Sequence, residues 1–394
     1  MDLFNKIISD LHLHVQKGFK LNSDISLYEG VAGNLLFSYY YNKYLDNSCE
    51  IFFRHGVSIL AEKSLLEQNY TFCSGVSGIH WLFCFFYKKD IIYKKDKYIL
   101  CDANIDLVKN KSLELINIGD YDFLHGSMGM FYYILYNTIS EDCENTYFFD
   151  YITKLNKLQM CSPYGKYIPN LFYHTDKDPK NLINLGLSHG MPSILKVLVE
   201  CYKKDIFSEY SKKMAYNIID CIIACINVDK TCYFSSILDI SSSHAFGHSR
   251  IAWCYGDLST AYILYNSGVI FSDDTIKNLA LEILEATTKR RDIDLEGIKD
   301  LGFCHGISGI AYIYFKLWKQ TGLSLFKDAN DYWMSLLLKS AKNNQLKPYT
   351  LKFHPPSNRY EESYSLLEGG SGIAMVLLSY ITGETDWDYC MMLN

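Results

Sequence analysis

The stretch His305-Gly306-Ile307-Ser308-Gly309, followed at once by Ile310-Ala311-Tyr312-Ile313-Tyr314-Phe315, decides the fold of this chain of 394 residues. The residues after the second glycine are hydrophobic on every side at helical length, which is typical of a helix that is buried all round. A glycine has no Cβ, so it permits a tight turn and a close approach of neighbouring backbones. The stretch therefore predicts a buried helix that begins at a tight glycine turn.

This glycine motif recurs seven times along the chain, each time before an apolar run of helical length. In two of the motifs a serine, Ser193 or Ser259, replaces the usual second glycine. The intervals between the motifs are irregular, which argues against a solenoid of identical units and favours a closed ring with variable connections. The first glycines of the seven motifs are Gly30, Gly75, Gly126, Gly190, Gly256, Gly306 and Gly369.

Between the motifs lie segments with a single apolar stripe, near 2–16, 49–65, 208–227, 274–284 and 325–341. In 274–284, for example, Ile276, Leu279 and Ile283 share one helical face and the charged residues fall opposite. Buried helices that alternate with amphipathic helices predict an inner ring wrapped by an outer ring. The predicted fold class is therefore all-α, an α/α toroid of about seven inner and seven outer helices whose glycine turns meet at one pole.

The chain contains only seven prolines, and no Ser/Gly-rich or charged linker divides it. We therefore expect a single domain over 1–394. Two polar stretches interrupt the helical pattern: 161–182, which suits a lid or a small hairpin, and 347–362, which suits a long loop.

Composition narrows the class of protein. The net charge is −6 and the charges are mixed along the chain, so a nucleic-acid partner is not expected. The sequence has neither the start of a signal peptide nor an apolar run of eighteen residues, so we expect no transmembrane segment and a cytoplasmic location. Thirteen cysteines without a small-scaffold spacing are then expected to be reduced thiols.

Two of the glycine motifs carry residues suited to a metal ion. Cys254 lies in Trp253-Cys254-Tyr255-Gly256, and Cys304 and His305 immediately precede Gly306. Two thiolates and an imidazole suit zinc, and three protein ligands leave a fourth coordination position open for a substrate. The sequence therefore predicts one Zn²⁺ per chain, held by Cys254, Cys304 and His305.

The seven motifs, together with WCYG at 253–256, CHG at 304–306, NLGLSHG at 184–190 and LLEGGSG at 366–372, closely resemble the lanthionine synthetase C-like family over about 27–379. The resemblance implies an α/α toroid with a zinc ion at the pole. It also implies an activity, the closing of (methyl)lanthionine thioether rings in a lantibiotic precursor. In that reaction a peptide cysteine thiol adds to dehydroalanine or dehydrobutyrine.

The resemblance also assigns roles to further residues. The candidate acid/base histidine of the family falls on His189, a family aspartate on Asp122, and an arginine and a tyrosine near the first zinc cysteine on Arg250 and Tyr255. A histidine is suited to protonate the α-carbon. Arg250 could stabilise the enolate oxygen or orient Tyr255, and Asp122 could orient a histidine or accept the proton of the substrate thiol. Three of these residues have a structural alternative: His189 could cap a helix or support a metal ligand, Asp122 could be a helix N-cap, and Arg250 could form a buried ion pair.

A cyclase of this family implies a dehydrated precursor peptide with a leader as substrate, and a separate dehydratase and an export transporter as partners, with peripheral association with a membrane biosynthetic complex. Two other hypotheses remain open. The chain could be a non-cyclising scaffold that binds zinc and a thiol such as glutathione. It could also be an α/α-barrel glycosidase that uses Glu29 and Glu368, although the cysteines would then have no purpose.

Overall fold

The computed structural model describes residues 2–21, 23–138, 145–172, 177–227, 232–241, 244–245, 249–340 and 347–394. These residues form fifteen α-helices, and the fold is helical as predicted. In chain order the helices are α1 (Asp2–Leu21), α2 (Val31–Tyr44), α3 (Glu50–Ser64), α4 (Val76–Lys88), α5 (Lys94–Leu100), α6 (Ile105–Asn117), α7 (Ser127–Asn137), α8 (Asn145–Lys157), α9 (Met191–Lys203), α10 (Ser208–Ala224), α11 (Asp257–Phe271), α12 (Asp274–Thr287), α13 (Ile307–Thr321), α14 (Ser324–Lys339) and α15 (Gly370–Thr382).

Seven of these helices, which we call the motif helices, begin directly after the first glycine of a motif. In every case that glycine is the N-cap residue of the helix. In α13 every residue from Ile307 to Leu317 is buried, as the all-round hydrophobic run predicts. The motif helices are α2, α4, α7, α9, α11, α13 and α15.

Seven further helices of the described chain are amphipathic, and α5 is a short additional helix. In α12 the buried residues include Ile276 and Ile283, as predicted, whereas Leu279 is only half-buried. The predicted number of seven buried and seven amphipathic helices is thus found within the described residues. The amphipathic helices are α1, α3, α6, α8, α10, α12 and α14. None of the described helices combines the length and the apolar character needed to cross a bilayer.

The helices group into two compact units. The first comprises 1–102 and 291–394, and in it α15 packs against α1, α2 and α13, while α14 packs against α13. Tyr28 donates a hydrogen bond to the carbonyl of Cys390, and Ser371 Oγ donates one to Asn34 Oδ1 at 2.9 Å. The two ends of the chain are therefore joined within this unit.

The second unit comprises 103–290. Here α9 packs against α7, α10 and α11, and α11 packs against α12. Each motif helix of this unit thus has an amphipathic neighbour next to it in the sequence. The single domain expected over 1–394 stays a prediction.

Three small antiparallel sheets accompany the helices of the described chain. The polar stretch near 161–182 begins with a hairpin, which is one of the two structures predicted for it, although 173–176 lie outside the described residues. The stretch 347–362 also contains a hairpin, in which Leu351 is opposite Glu362 and His354 is opposite Arg359. The strands are β1 (Met160–Ser162), β2 (Gly165–Tyr167), β3 (Leu182–Asn184), β4 (Ile237–Asp239), β5 (His244–Ala245), β6 (Leu351–His354) and β7 (Arg359–Glu362), and they pair as β1-β2, β3-β4-β5 and β6-β7.

Candidate functional site

Cys254 lies in a closed turn in front of α11. Ile251 pairs with Gly256, and the amide of Asp257 donates a hydrogen bond to the carbonyl of Arg250 at 3.1 Å. Gly256 has a φ of +104°, and a Cβ at this position would lie 1.8 Å from the Arg250 carbonyl oxygen. Only glycine fits there, so the turn that holds the buried Cys254 depends on this residue.

The side chain of Asp257, the first residue of α11, stabilises the same turn through hydrogen bonds. This fully buried carboxylate accepts hydrogen bonds from the amides of Tyr233 and Phe234, from Ser249 Oγ and from Arg290 Nη1 at 2.6–3.0 Å. Burial raises the pKa of Asp257, and these donors act in the opposite direction. The four donors therefore fix both the carboxylate and the first turn of α11.

The loop of Cys304 and His305 is tied to two other motif loops by backbone hydrogen bonds. The amide of Cys304 donates to the carbonyl of Leu367 at 2.9 Å, and the amide of Leu367 donates to the carbonyl of Tyr28 at 3.1 Å. A Cβ at Gly302 would lie 2.9 Å from the carbonyl oxygen of Glu368, so the backbones are in close contact. The residues just before Gly30, Gly306 and Gly369 are thereby held near one another.

Cys254, Cys304 and His305 form a group that could hold a metal ion. One ligand atom from each of the three residues lies within 4.8 Å of the others. Cys254 is buried, whereas Cys304 and His305 are half-buried. Two sulfurs and one nitrogen are ligands that suit zinc.

His189 and Asp122 form a hydrogen-bonded pair, with 2.7 Å between Nδ1 and Oδ2. The other oxygen of Asp122 accepts hydrogen bonds from the amides of Leu124 and His125, both at 2.9 Å. Burial would raise the pKa of Asp122, but the hydrogen bond and the charge of His189, together with the amide donors, hold it below its usual value. Because an ionised carboxylate accepts hydrogen bonds only, Nδ1 carries the proton and Nε2 is the other ring nitrogen.

Asn170 supports this pair, although no motif of the sequence indicates a role for it. Its side-chain amide donates to Asp122 Oδ2 at 3.0 Å and to the carbonyl of His189 at 2.9 Å. Asn170 lies in the polar stretch 161–182, and only the folded loop brings it to the pair. It fixes both partners at once.

The loop of His189 also contacts the loop of Cys254. The amide and the hydroxyl of Ser188 both donate to the carbonyl of Cys254 at 3.3 Å. The rings of His189 and Tyr255 are 6.3 Å apart, and Asn184 Nδ2 donates to the Tyr255 hydroxyl at 3.4 Å. The structure thus brings His189, Asp122, Tyr255 and Cys254 together.

Arg250 and His125 also lie in the glycine-motif loops, but their contacts differ from those of the residues above. The backbone carbonyl of Arg250 closes the turn in front of α11, and its side chain is half-buried. A catalytic role for Arg250 stays a prediction. His125 is exposed, and its ring stacks on that of His189 with 5.9 Å between the ring centroids.

A lysine joins the two glutamates that precede motif glycines. Lys352 Nζ lies 3.4 Å from Glu29 Oε2 and 3.1 Å from Glu368 Oε2, and Glu368 Oε1 lies 3.9 Å from His305 Nε2. Burial and the charge of Glu368 raise the pKa of Glu29 to about 7, although Lys352 acts in the opposite direction. The two carboxylates of the glycosidase hypothesis therefore share one ammonium group.

Most of these side chains occupy one position of the repeat, the residue just before the N-cap glycine of a motif helix. Histidine occurs three times and glutamate twice at this position, which explains how loops far apart in sequence supply one kind of site. The residues at this position are Glu29, Ser74, His125, His189, Tyr255, His305 and Glu368.

Comparison with known proteins assigns the family. The chain matches the family described as "Lanthionine synthetase C-like protein" over residues 22–392, and it therefore belongs to that family. It is 25% identical over 379 residues to "Nisin biosynthesis protein NisC" of Lactococcus lactis subsp. lactis, and the match covers 90% of this chain and 83% of that protein. These similarities support a lanthionine cyclase-like role.

A solved structure shows the fold. The structure described as "Nisin cyclase" superposes with a TM-score of 0.75 at 21% sequence identity, covering 99% of this chain and 96% of that one. At this identity the likeness speaks for the fold alone. It confirms the predicted fold class, the all-α toroid.

Proposed function

We propose that the protein is a zinc-dependent cyclase that forms (methyl)lanthionine rings in a dehydrated ribosomal precursor peptide with a leader. The observation that carries this proposal is the group of Cys254, Cys304 and His305, whose ligand atoms lie within 4.8 Å of one another. The hydrogen-bonded pair of His189 and Asp122, in a loop that contacts the loop of Cys254, supports it. The family assignment supplies the class of substrate.

The proposed reaction is an isomerisation of the peptide. A bond forms between the sulfur of a peptide cysteine and the β-carbon of dehydroalanine or dehydrobutyrine. The thiol loses its proton, and the α-carbon gains one, so the peptide keeps its mass. Two tasks follow for the protein: it has to favour the thiolate, and it has to deliver a proton to the α-carbon.

The group of Cys254, Cys304 and His305 is proposed to favour the thiolate. A bound zinc ion would supply a positive charge that favours the thiolate form of a peptide cysteine.

His189 serves the second task. Asp122 holds Nδ1 and the His189 carbonyl is held by Asn170, so the ring has one orientation and Nε2 is the nitrogen that can hold and deliver the proton. The ionised Asp122 stabilises the imidazolium form that precedes the transfer. In this proposal Asp122 is a positioning residue.

Tyr255 and Arg250 complete the proposed site. The Tyr255 ring lies beside His189, and Asn184 holds its hydroxyl, so Tyr255 is placed to bind the peptide near the proton donor. Arg250 is proposed to stabilise the enolate oxygen that develops as sulfur adds. A separate dehydratase, an export transporter, a cytoplasmic location and peripheral association with a membrane complex remain predictions from the sequence.

The test combines zinc content with a cyclisation assay. Mixed with zinc and dehydrated precursor, the protein is expected to consume the free thiols of the peptide without a change in peptide mass. Cys304→Ala is expected to lose the zinc, about one ion per chain in the wild type. His189→Asn should keep the zinc and lose about 10²- to 10⁴-fold in rate, the usual contribution of a general acid.

The exposed His354→Ala is the matched control for His189 and should cyclise at the wild-type rate. A wild type that binds zinc and glutathione but leaves the precursor thiols unchanged would contradict the cyclase proposal and favour the non-cyclising scaffold. A folded wild type without zinc would contradict the metal centre itself.

A further inference from the structure

Glu368 lies between His305 and Lys352, with one carboxylate oxygen facing each. Its Oε2 is 3.1 Å from Lys352 Nζ, and its Oε1 is 3.9 Å from His305 Nε2. The second distance is that of an ion pair rather than of a formed hydrogen bond. About four-fifths of each of the two facing side chains is buried, with exposed fractions of 20% for His305 and 22% for Glu368. The contact is therefore largely shielded from water.

The backbone holds Glu368 in this place. Its amide donates to Ser365 Oγ at 3.0 Å, and the amide of Gly369 donates to the Ser365 carbonyl at 3.2 Å. A Cβ at Gly302 would lie 3.0 Å from the Cα of Glu368, so the loop in front of Cys304 presses directly against it. The distance between the two loops is thus set by the backbone rather than by the side chains.

The hairpin β6-β7 holds Lys352 in the same way. The amide of Phe353, the next residue of β6, donates to Asp300 Oδ2 at 2.9 Å. The other oxygen of Asp300 accepts a hydrogen bond from the amide of Gly302 at 3.0 Å. Asp300 therefore ties the strand that carries Lys352 to the loop that carries Cys304 and His305.

The same arrangement is found at His189. There a carboxylate, Asp122, is fixed by other donors and contacts the ring nitrogen Nδ1 at 2.7 Å. At His305 the carboxylate of Glu368 is fixed by Lys352 and faces Nε2. Histidine ligands of metal ions commonly donate their second ring N–H to a carboxylate, which fixes the ring and its tautomer.

We propose that Glu368 is a positioning residue of the metal centre, which accepts the Nε2 proton of His305 and presents Nδ1 to the metal, and that Lys352 fixes the orientation of Glu368. This inference rests on the proposed zinc site. It gives the hairpin β6-β7 a role in that site.

Glu29 provides an internal control. Like Glu368 it precedes a motif glycine and lies within reach of Lys352, at 3.4 Å. The contact with His305 is made by Glu368. At a pH well above 7, where Glu29 is ionised as well, removal of either carboxylate takes one negative charge from the surroundings of Lys352. A difference between the two variants measured there is therefore not an effect of that charge and reports the contact of Glu368 with His305.

The experiment measures the zinc dissociation constant of the full chain by competition with a chromophoric chelator, together with the free energy of unfolding of the zinc-free protein. We expect Glu368→Ala to bind zinc about 10- to 100-fold more weakly, as is usual when a carboxylate partner of a ligating histidine is removed. Glu368→Gln, whose amide oxygen still accepts the Nε2 proton, should recover part of the loss. Lys352→Met should weaken binding less than Glu368→Ala, and Glu29→Ala should bind like the wild type.

Equal zinc affinity of Glu368→Ala and the wild type would overturn the inference, as would an equal loss in Glu29→Ala. Tighter binding by Lys352→Met would also overturn it, because the released Glu368 would then itself be a ligand. If Glu368→Ala does not fold, the comparison of Glu368→Gln with Glu29→Gln decides the question. A wild type without zinc would instead overturn the proposed metal centre, so the two failures are distinguishable.

Discussion

Asp120 and Asp122 are two residues apart, and their surroundings shift their pKa values in opposite directions. Burial and the neighbouring charge of Asp122 raise the pKa of Asp120 to about 6. For Asp122 the hydrogen bond and charge of His189 and the amide donors outweigh burial, so its pKa lies below the usual value. An aspartate in an unfolded chain titrates near about 4.

The contributions of these two residues to the free energy of unfolding therefore change with pH in opposite directions. The stabilisation by ionised Asp122 is present above about pH 4 and is lost as the pH falls through its lower folded pKa. The cost of ionising Asp120 appears as the pH rises from about 4 to about 6, and it amounts to roughly 2 kcal/mol. Asp122→Asn should therefore be less stable than the wild type at pH 7, with a difference that narrows below about pH 4.

The free energy of unfolding of Asp120→Asn should increase relative to that of the wild type as the pH rises from 4 to 7. Urea unfolding of the zinc-free proteins across this range measures both effects, and each variant is the control for the other. If both variants stay parallel to the wild type at all pH values, the assigned electrostatics of the pair are wrong.

Cys254, Cys304 and His305 could be grouped from the sequence because two of the glycine motifs carry them. A cysteine or histidine within two residues of a motif glycine is a local signal, and Cys254, Cys304 and His305 all carry it. Asn170 and Lys352 carry no such signal, because a polar loop and a hairpin bring them to the site from elsewhere. The position of such residues depends on the fold of those loops, which sequence periodicity does not determine.

At the scale of the elements, the turn in front of α11 depends on Gly256. Its φ of +104° with a ψ of −170° is a conformation that other residues rarely adopt, and a Cβ would collide with the carbonyl of Arg250. Gly256→Ala should lower the free energy of unfolding by about 3 kcal/mol or more. Because the turn carries Cys254, the variant should also bind zinc more weakly.

Gly322→Ala is the matched control. Gly322 ends α13 with a φ of +71°, but nothing lies within 4 Å of the place of its Cβ. This substitution should cost only about 1 kcal/mol of backbone strain and leave zinc binding unchanged. Urea unfolding and chelator competition give both quantities, and equal effects of the two substitutions would show that the turn at Gly256 tolerates a side chain.

The helices could be predicted because their signals are long and periodic. A motif glycine followed by an apolar run gives the start of each motif helix, and an apolar stripe gives each amphipathic helix. The strands of two to four residues were not predicted beyond the hairpin near 161–182, because such short segments contain too little alternation. The hairpin β6-β7 was expected to be a loop for the same reason.

At the scale of the whole molecule, the number and kind of helices followed from the sequence, whereas the two compact units did not. One unit combines the first 102 residues with those from 291 onward, and such a grouping depends on contacts between distant segments. No linker marks its boundaries. The sequence therefore predicts a single domain, and cooperative unfolding tests that prediction.

Asp388 is the residue on which this test is built. It is buried in the first unit, where Lys316 Nζ lies at 2.7 Å and the Tyr312 hydroxyl donates to it at 2.8 Å. Asp388→Ala leaves the ammonium of Lys316 buried without this partner, which typically costs about 3–5 kcal/mol. If the chain is a single domain, this substitution lowers the free energy of global unfolding. Every amide that exchanges through global unfolding then loses the same amount of protection.

Hydrogen exchange of the full chain is the measurement. We expect Asp388→Ala to lower the protection of the slowest amides equally in 103–290 and in the unit that contains Asp388. The exposed pair of Lys327 and Asp331 supplies the control, since Lys327→Ala should change protection little in either unit. Loss of protection confined to 1–102 and 291–394 would mean that the two units unfold separately, and 1–394 would then comprise two domains.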